Sequence, residues 1–218
     1  MPDFSILTNN IDMYLEGFKY TVMSSVIALI GSFILGLILA VMRIAPIRIL
    51  NWIGSAFVEF VRNIPLVLIA FIFYFALPVI GITLNGFVAG TVTLTVYTAA
   101  FIAEVIRAGI LSVAKGQMEA ARSSGLTYVQ AMYYVVLPQA MKIVIPPLGN
   151  QFLNLVKNSS ILGIIAGTDL MYQGDLISTK TFVTFDVYIF VGMFYLIVTI
   201  PLSMLVRYLE KRLAKEAV

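Results

Sequence analysis

The sequence contains no cysteine and no histidine. Without cysteine the chain cannot form a disulfide or a thiolate metal site, and without histidine it lacks the commonest neutral metal ligand and the usual general base. It also has no GxxxxGK[ST] loop, so no segment is expected to hold nucleotide phosphates. These absences leave few candidates for catalytic chemistry. We therefore expect that the chain is not an enzyme and has no catalytic residue, no metal site and no cofactor of its own.

Charge is also scarce, since charged residues make up 11% of the chain and hydrophobic residues 61%. This balance is typical of polytopic membrane proteins and is far too apolar for a soluble globular domain. No linker-like stretch or change in composition divides the 218 residues. We therefore predict one transmembrane domain over residues 1–218.

Apolar segments of about 20 residues, the length needed to cross a bilayer core, recur along the chain. Turn-forming residues, among them Pro78, Gly81 and Asn85, divide the long charge-free interval between Arg62 and Glu104 into two. The pattern predicts an all-α polytopic membrane protein with five transmembrane helices, at 20–42, 63–80, 87–109, 143–168 and 187–206.

Lysine and arginine residues are distributed unequally between the connections. They collect in the connections 43–62 and 107–142 and in the C-terminal tail, whereas acidic residues dominate the other connections. By the positive-inside rule, this bias predicts the N-terminus outside and the C-terminus in the cytoplasm. The first apolar run is too long for the core of a cleaved signal peptide, so we expect it to remain as a membrane span.

A polar stretch at 114–138 interrupts the apolar sequence between the third and fourth spans. Its first part favours a short helix, which Gly125 can end through a left-handed cap. Thr127 can begin a second short helix, and Pro138 is expected to limit it. The orientation above places this stretch in the cytoplasm, where a rigid helical corner can contact a partner protein.

Polar side chains recur at helical spacing within the third and fourth spans. Because polar groups at membrane depth usually face a protein interior or a water-filled cavity, the two stripes predict a shared path for a solute. The alternative is packing, in which threonines bond to helix carbonyls and amides join helices. The stripe of the third span comprises Thr91, Thr95 and Thr98, and that of the fourth comprises Asn150 or Gln151, Asn154, and Lys157 or Asn158.

Lys157 is the most distinctive of these residues, because a charged ammonium inside a bilayer requires compensation. It can receive a substrate carboxylate, or it can have a structural role by pairing with Glu104 or a backbone carbonyl. Pro146 and Pro147 are expected to bend or unwind the start of the fourth span and to free carbonyl groups.

The polar stretch resembles the EAA loop with which ABC-importer permeases dock onto their ATPase. Several segments, over about Gly17 to Leu209, are similar to permease subunits of polar amino acid ABC uptake systems, the histidine, glutamine, glutamate, arginine and opine group. The segments that carry the resemblance are GFKYTVMSSVIALIGSFILG, EFVRNIPLVLIAFIFYFALP, YTAAFIAEVIRAGILSV, KGQMEAARSSGL and VLPQAMKIVIPPLGNQFLNLVKNSS.

The resemblance implies a type I importer permease fold in a bacterial inner or plasma membrane. The implied partners are a second permease subunit, identical or paralogous, a cytoplasmic ATPase that binds ATP and Mg²⁺, an extracytoplasmic amino-acid-binding protein and the lipid bilayer, but no nucleic acid. The implied ATPase-coupling residues are Glu119, Ala120, Ala121, Arg122, Gly125, Leu137 and Pro138. The candidate substrate path comprises Thr95, Thr98, Asn150, Gln151, Asn154, Lys157, Asn158 and Ser159, the last three lying in a K-[DN]-[ST]-S motif of the family.

The substrate expected from this resemblance is glutamine or glutamate. Many relatives have glutamate at the position of Gln151, where a carboxylate would suit a cationic substrate, and the segment FVRNIPL resembles the glutamine and glutamate branch. A basic amino acid such as arginine or histidine is the alternative substrate. A secondary transporter or channel that works without ATP is the alternative class, although it would not need the docking loop.

Overall fold

The computed structural model describes the backbone of residues 3–215 and the side chains of residues 3–212. Within this part of the chain all regular secondary structure is helical, which confirms the all-α class. The α-helices are α1 (Phe4–Asn9), α2 (Ile11–Ile44), α3 (Arg48–Arg62), α4 (Leu66–Phe71), α5 (Gly86–Ser112), α6 (Lys115–Ser123), α7 (Tyr128–Ala131), α8 (Leu137–Asn158), α9 (Leu170–Thr181) and α10 (Phe185–Lys215). Helix α4 continues as a π-helical turn (Ile72–Ala76) and a 3₁₀ turn (Leu77–Ile80), α7 joins α8 through a π turn (Met132–Val136), and α8 continues as a 3₁₀ segment (Ser159–Ile165).

Helices α2 and α5 form the centre of the bundle, and small residues let them approach closely. A Cβ atom at Gly36 of α2 would lie 2.7 Å from the Cγ2 atom of Ile102, and one at Gly31 would lie 2.9 Å from that of Thr95. Buried alanines, among them Ala40 and Ala99, continue the same contact. Close backbone approach through small residues is how membrane helices gain packing energy in the absence of a strong hydrophobic driving force.

Within residues 3–215, four helical segments are long and apolar enough to cross a membrane, namely Ile11–Ile44, Gly86–Ser112, Tyr128–Ile165 and Phe185–Arg212. The fifth candidate is irregular. The segment Leu66–Ile80 extends about 22 Å at 1.5 Å per residue, which is shorter than the bilayer core of about 30 Å. Together with α3, from which it is bent by 106°, it passes the same test as a broken span or a re-entrant loop.

Helix α3 lies in a segment that the sequence assigns to a connection. Gly54, Val58 and Val61 form its buried stripe, which packs against α2 and α5. The other side leaves Ile49 and Trp52 largely exposed. This helix is therefore amphipathic and covers the α6 end of the bundle, a term used below for the end that carries α6.

The helix that begins at Tyr128 does not stop at Pro138, so the predicted limit is wrong. The π turn before α8 shifts the hydrogen-bond pattern by one residue, since the amide of Leu137 donates to the carbonyl of Met132. Pro138 then enters in the first turn of α8, where a missing amide hydrogen costs no helical bond. Pro146 and Pro147 lie inside α8 and do not unwind it.

Helix α9 at the opposite end was not predicted. Its N-cap, Asp169, is fully buried, and the two carboxylate oxygens each accept a backbone amide hydrogen bond of 3.1 Å, from Met171 and Tyr172. The amide of Leu170 also donates to the hydroxyl of Thr21 at 3.0 Å. The bond from Leu170 attaches the segment that follows α8 to the first third of α2.

Candidate functional site

The α6 end carries a helical corner made of α6, Gly125 and α7. Gly125 has a φ of 88°, the left-handed conformation expected from its place in the sequence. Two amides close the end of α6, that of Gly125 on the carbonyl of Arg122 at 3.0 Å and that of Leu126 on the carbonyl of Ala121 at 3.3 Å. The corner is therefore fixed by backbone hydrogen bonds rather than by burial.

The second half of the corner has its own cap. The hydroxyl of Thr127 accepts the amide of Gln130 at 3.3 Å, and the side chain of Gln130 accepts the amide of Thr127 at 2.8 Å. The guanidinium of Arg122 donates to the carbonyl of Leu126 at 2.9 Å, across the corner. This capping box and the bridging arginine orient α7 relative to α6.

Exposure divides the sequence-predicted coupling residues into two groups. Glu119, Ala120, Arg122, Gly125 and Pro138 are exposed and available to a partner. Ala121 is 7% exposed and faces the bundle, and Leu137 packs with the Ile110 and Val136 cluster. The structure thus gives Ala121 and Leu137 the role of attaching the corner to the bundle.

Exposed aromatic side chains beside the corner were not predicted from the sequence. Tyr133 and Tyr134 are about two-thirds exposed and contact each other edge to face, with ring centroids 5.0 Å apart. Tyr128 and Val129 are also exposed. The run LTYVQAMYYVV contains the signal, because large side chains that are exposed on a short capped helix are typical of a protein contact surface.

Below the corner, Glu104 holds three arginine side chains. Its Oε2 atom accepts from Arg43 at 2.5 Å, its Oε1 atom accepts from Arg107 at 2.7 Å, and Arg62 lies 3.6 Å away. Arg43 also contacts Glu59, at 3.1 Å. This group, which we call the arginine cluster, joins α2, α3 and α5 and carries one net positive charge.

The arginine cluster rules out the predicted alternative in which Lys157 pairs with Glu104. Arg43 lies near the end of α2, whereas the neighbours of Lys157 in sequence, Leu155 and Val156, adjoin Ser25. The 18 residues between Ser25 and Arg43 correspond to about 27 Å of helix. Lys157 therefore lies toward the end of the bundle that carries α9, far from Glu104.

One face of α8 exposes polar groups at membrane depth. Asn150, Asn154 and Lys157 are exposed and follow one another at spacings of four and three residues, which places them on one side of the helix. Gln151 and Asn158 are partly buried on the adjacent sides. Ser159 is fully buried, with its hydroxyl donating to the carbonyl of Val156 at 2.8 Å.

A cavity of about 390 Å³ opens beside Lys157, between α8 and α10. Its polar groups are Lys157, Thr199, Ser203 and Arg207, so it presents two positive charges and two hydroxyls. The three α10 residues were missed, although their spacing of four residues places them on one helical face. Recognising the site requires knowing that α10 packs beside α8, a contact made where Gly149 meets Val206.

The threonines of α5 do not border this cavity. The hydroxyl of Thr95 donates to the carbonyl of Thr91 at 2.8 Å, and its methyl group packs against Gly31 of α2. Thr98 is 3% exposed. This geometry matches the packing alternative and does not bring Thr95 and Thr98 together with the polar face of α8.

Several long apolar helices, a capped helical corner at one end and a polar helix face at membrane depth define a multi-pass membrane transport subunit. The chain belongs to the family of binding-protein-dependent transport system inner membrane components, whose model matches residues 13–215. This membership confirms the resemblance and does not favour the alternative of an ATP-independent secondary transporter or channel.

Relatives and solved structures agree with this family. The chain is 69% identical over 211 residues to the Bacillus subtilis protein named "Probable glutamine ABC transporter permease protein GlnM", with 97% of this chain and 98% of the relative covered. It is 35% identical to the Escherichia coli "Glutamine transport system permease protein GlnP", with 97% of each chain covered. The fold matches a chain in a crystal structure of an amino acid ABC transporter with a TM-score of 0.91, 34% identity and coverage of 97% of this chain and 99% of that one.

Proposed function

We propose that this protein is the transmembrane subunit of an ATP-driven importer for glutamine. The observation that carries the proposal is the 69% identity, across almost the whole chain, to a permease named for glutamine. The neutral Gln151 and a cavity with two cations and two hydroxyls agree with a solute that bears a carboxylate and an uncharged side chain. Glutamate is the second candidate, because the same cations suit an additional carboxylate.

The energy source in this proposal is a separate cytoplasmic ATPase that binds ATP and Mg²⁺. The distribution of lysine and arginine favours an orientation with the N-terminus outside and the α6 corner in the cytoplasm. An exposed, rigid corner with Glu119, Ala120 and Arg122 on its surface can then lie in a cleft of the ATPase. An extracytoplasmic binding protein delivers the amino acid at the other end.

The corner is well placed to transmit movement to the solute path. It lies between α5 and the continuous helix of α7 and α8, so a displacement of α6 acts on both. Helix α8 carries Asn154 and Lys157 on its exposed face. ATPase coupling is possible because nucleotide and loaded binding protein each stabilise one of two permease conformations differently.

A second permease subunit completes the path. Polar groups exposed at membrane depth are costly in contact with lipid, so the face of α8 with Asn150, Asn154 and Lys157 is expected to lie against protein or water. A second subunit, identical or paralogous, would provide the facing wall. The solute would pass between the two α8 helices.

Substrate identity is tested by uptake of labelled glutamine into proteoliposomes that contain the whole transporter. We expect unlabelled glutamine to compete most strongly, glutamate to compete less strongly, and arginine or histidine to have little effect. Competition by arginine or histidine at lower concentrations than glutamine would contradict the proposed substrate while leaving the transporter class intact.

A further inference from the structure

A continuous groove runs along the outside of the bundle between α2 and α8. Its membrane part has a volume of about 280 Å³, and its lining is apolar throughout. Ile106 and Ile110 of α5 form the floor, whereas Phe33, Leu37 and Met141 belong to the walls. This groove is separate from the cavity beside Lys157, with which it shares no lining residue.

The groove opens at the α6 end into a pocket of different chemistry. Ile44, Ile110 and Met132 line both, so the two adjoin each other. The pocket has a volume of about 370 Å³ and is bordered by Arg43, Arg107 and Lys115, with no acidic residue among the lining side chains that the structure describes. Tyr128 and Met118 complete its rim, so it contacts the helical corner directly.

The charges at this pocket leave an excess of positive charge. Arg43 and Arg107 share Glu104 and Glu59 with Arg62, so the arginine cluster retains one positive charge. Lys115 adds another and has an exposed side chain at the start of α6. A group with one negative charge would find complementary charge here without displacing either glutamate.

The dimensions of the groove match one leaflet of a membrane. From Phe33 to Ile44, and from Leu137 to Leu148, each wall extends over about 16 Å of helix. Half of a bilayer core of about 30 Å is about 15 Å. A lipid acyl chain that follows the groove would therefore bring its headgroup to the level of Lys115.

We infer that this groove binds an anionic phospholipid, with an acyl chain between α2 and α8 and the phosphate beside Lys115 and Arg107. The inference rests on the proposed orientation for one detail, that the lipid belongs to the inner leaflet. Because the same lipid would contact Met118 and Tyr128, it would support the helical corner from below. Anionic lipid would then be a structural partner of the coupling element.

Quenching of tryptophan fluorescence by brominated lipid tests this inference without measuring transport. The single tryptophan, Trp52, is removed by Trp52→Phe, and a new tryptophan is placed in the groove by Met141→Trp. The matched control is Ile38→Trp. Ile38 is exposed and lies in the half of α2 that borders the groove, but it does not line the groove. The whole transporter, with the tryptophans of its partner subunits replaced by phenylalanine, is reconstituted with brominated phosphatidylglycerol or brominated phosphatidylcholine at equal mole fractions.

We expect the groove tryptophan to prefer phosphatidylglycerol by about fivefold in relative association constant, and the control tryptophan to show little preference. Lys115→Gln should lower the groove preference toward the control value, whereas Lys180→Gln, which removes an equal charge at the other end, should not. Lys115→Gln should not disturb α6, because a lysine in the first helical turn opposes the helix dipole.

Equal preference at the two tryptophans, or a groove preference that Lys115→Gln leaves unchanged, would overturn the inference. Absence of quenching by either lipid at the groove tryptophan would also overturn it, since the groove would then be filled by protein. These outcomes are distinct from failure of the proposed function, because loss of uptake would leave lipid quenching unaltered.

Discussion

Glu104 is the residue on which the α6 end of the bundle depends most. It accepts hydrogen bonds from Arg43 and Arg107, and its side chain is 21% exposed. Glu59 bonds to the same Arg43, but its side chain is 53% exposed. The two glutamates therefore form a matched pair that differs mainly in burial and in the number of arginines held.

Replacement of Glu104 should destabilise the protein more than replacement of Glu59. Glu104→Gln leaves Arg43, which is mostly buried, with one partly exposed carboxylate, and we expect a loss of about 1.5–3 kcal/mol. Glu59→Gln should cost at most about 1 kcal/mol, as for an exposed pair. Thermal unfolding in detergent, followed by fluorescence, measures the difference. Equal melting temperatures for the two variants would contradict the central position of Glu104.

Glu119 is exposed on α6 and has no hydrogen bond or ion pair among the contacts described for residues 3–212. Its charge is therefore available to a partner. We expect Glu119→Lys to weaken co-purification of the ATPase about tenfold, which corresponds to about 1.4 kcal/mol. Glu16→Lys makes the same charge change at the opposite end and should leave ATPase co-purification unchanged. Full recovery of ATPase with Glu119→Lys would remove α6 from the docking surface.

Among the elements, helix α5 depends on glycines where it meets the 3₁₀ segment that follows α8. A Cβ atom at Gly86 would contact the carbonyl of Ile165 and lie 2.5 Å from that of Ala166. Because these are backbone atoms, the clash cannot be relieved by rotating a side chain. The start of α5 and the end of the fourth span are thus fixed together.

Gly86→Ala is expected to destabilise the fold by about 1–3 kcal/mol, the usual cost of overpacking. Gly192→Ala is the control, because a Cβ atom there meets nothing within 4 Å and alanine is the better helix former. Melting temperatures in detergent measure both changes. If Gly86→Ala were as stable as the parent, the 3₁₀ segment could move away from α5 without loss of stability, and the contact would not be a fixed one.

The long helices could be predicted because apolar runs of spanning length have few other structures available to them. The same reasoning missed α3, since its stripe of Gly54, Val58 and Val61 lies within a connection that contains arginines. It also predicted wrongly that Pro138 ends the helix. The π turn before α8 places Pro138 in the first turn of that helix, where its missing amide hydrogen costs no helical bond. Local sequence reveals the period of a helix but not such shifts of register.

The helical corner could be predicted almost completely, whereas the cavity could not. Gly125 and Thr127 act through local backbone geometry, so their sequence spacing is sufficient. The cavity beside Lys157 combines α8 with Thr199 and Ser203, which are more than 40 positions away in the chain. The packing of α8 against α10, which includes the contact of Gly149 with Val206, brings these residues together.

In the whole molecule, the polar face of α8 is expected to be in contact with water even though it lies at membrane depth. The natural chain has no cysteine, so Asn154→Cys introduces a single thiol. In the reconstituted transporter it should react with a charged, water-soluble maleimide, and ATP should change the rate. Ile30→Cys, on the apolar exposed side of α2, should react at least tenfold more slowly, which corresponds to about 1.4 kcal/mol in barrier. Similar labelling of the two thiols would place the α8 face outside the solute path.

Transmission through the helical corner is tested by ATP-dependent glutamine uptake with Gly125→Val and Gly116→Val in the whole reconstituted transporter. A Cβ atom meets nothing within 4 Å at either glycine, but only Gly125 has a left-handed φ, of 88°. Valine at that φ costs at least about 1–2 kcal/mol and should displace α7 relative to α6. We predict loss of uptake for Gly125→Val, with membrane insertion intact, and near-normal uptake for Gly116→Val. Full uptake with Gly125→Val would contradict the proposal that this corner couples ATP hydrolysis to transport.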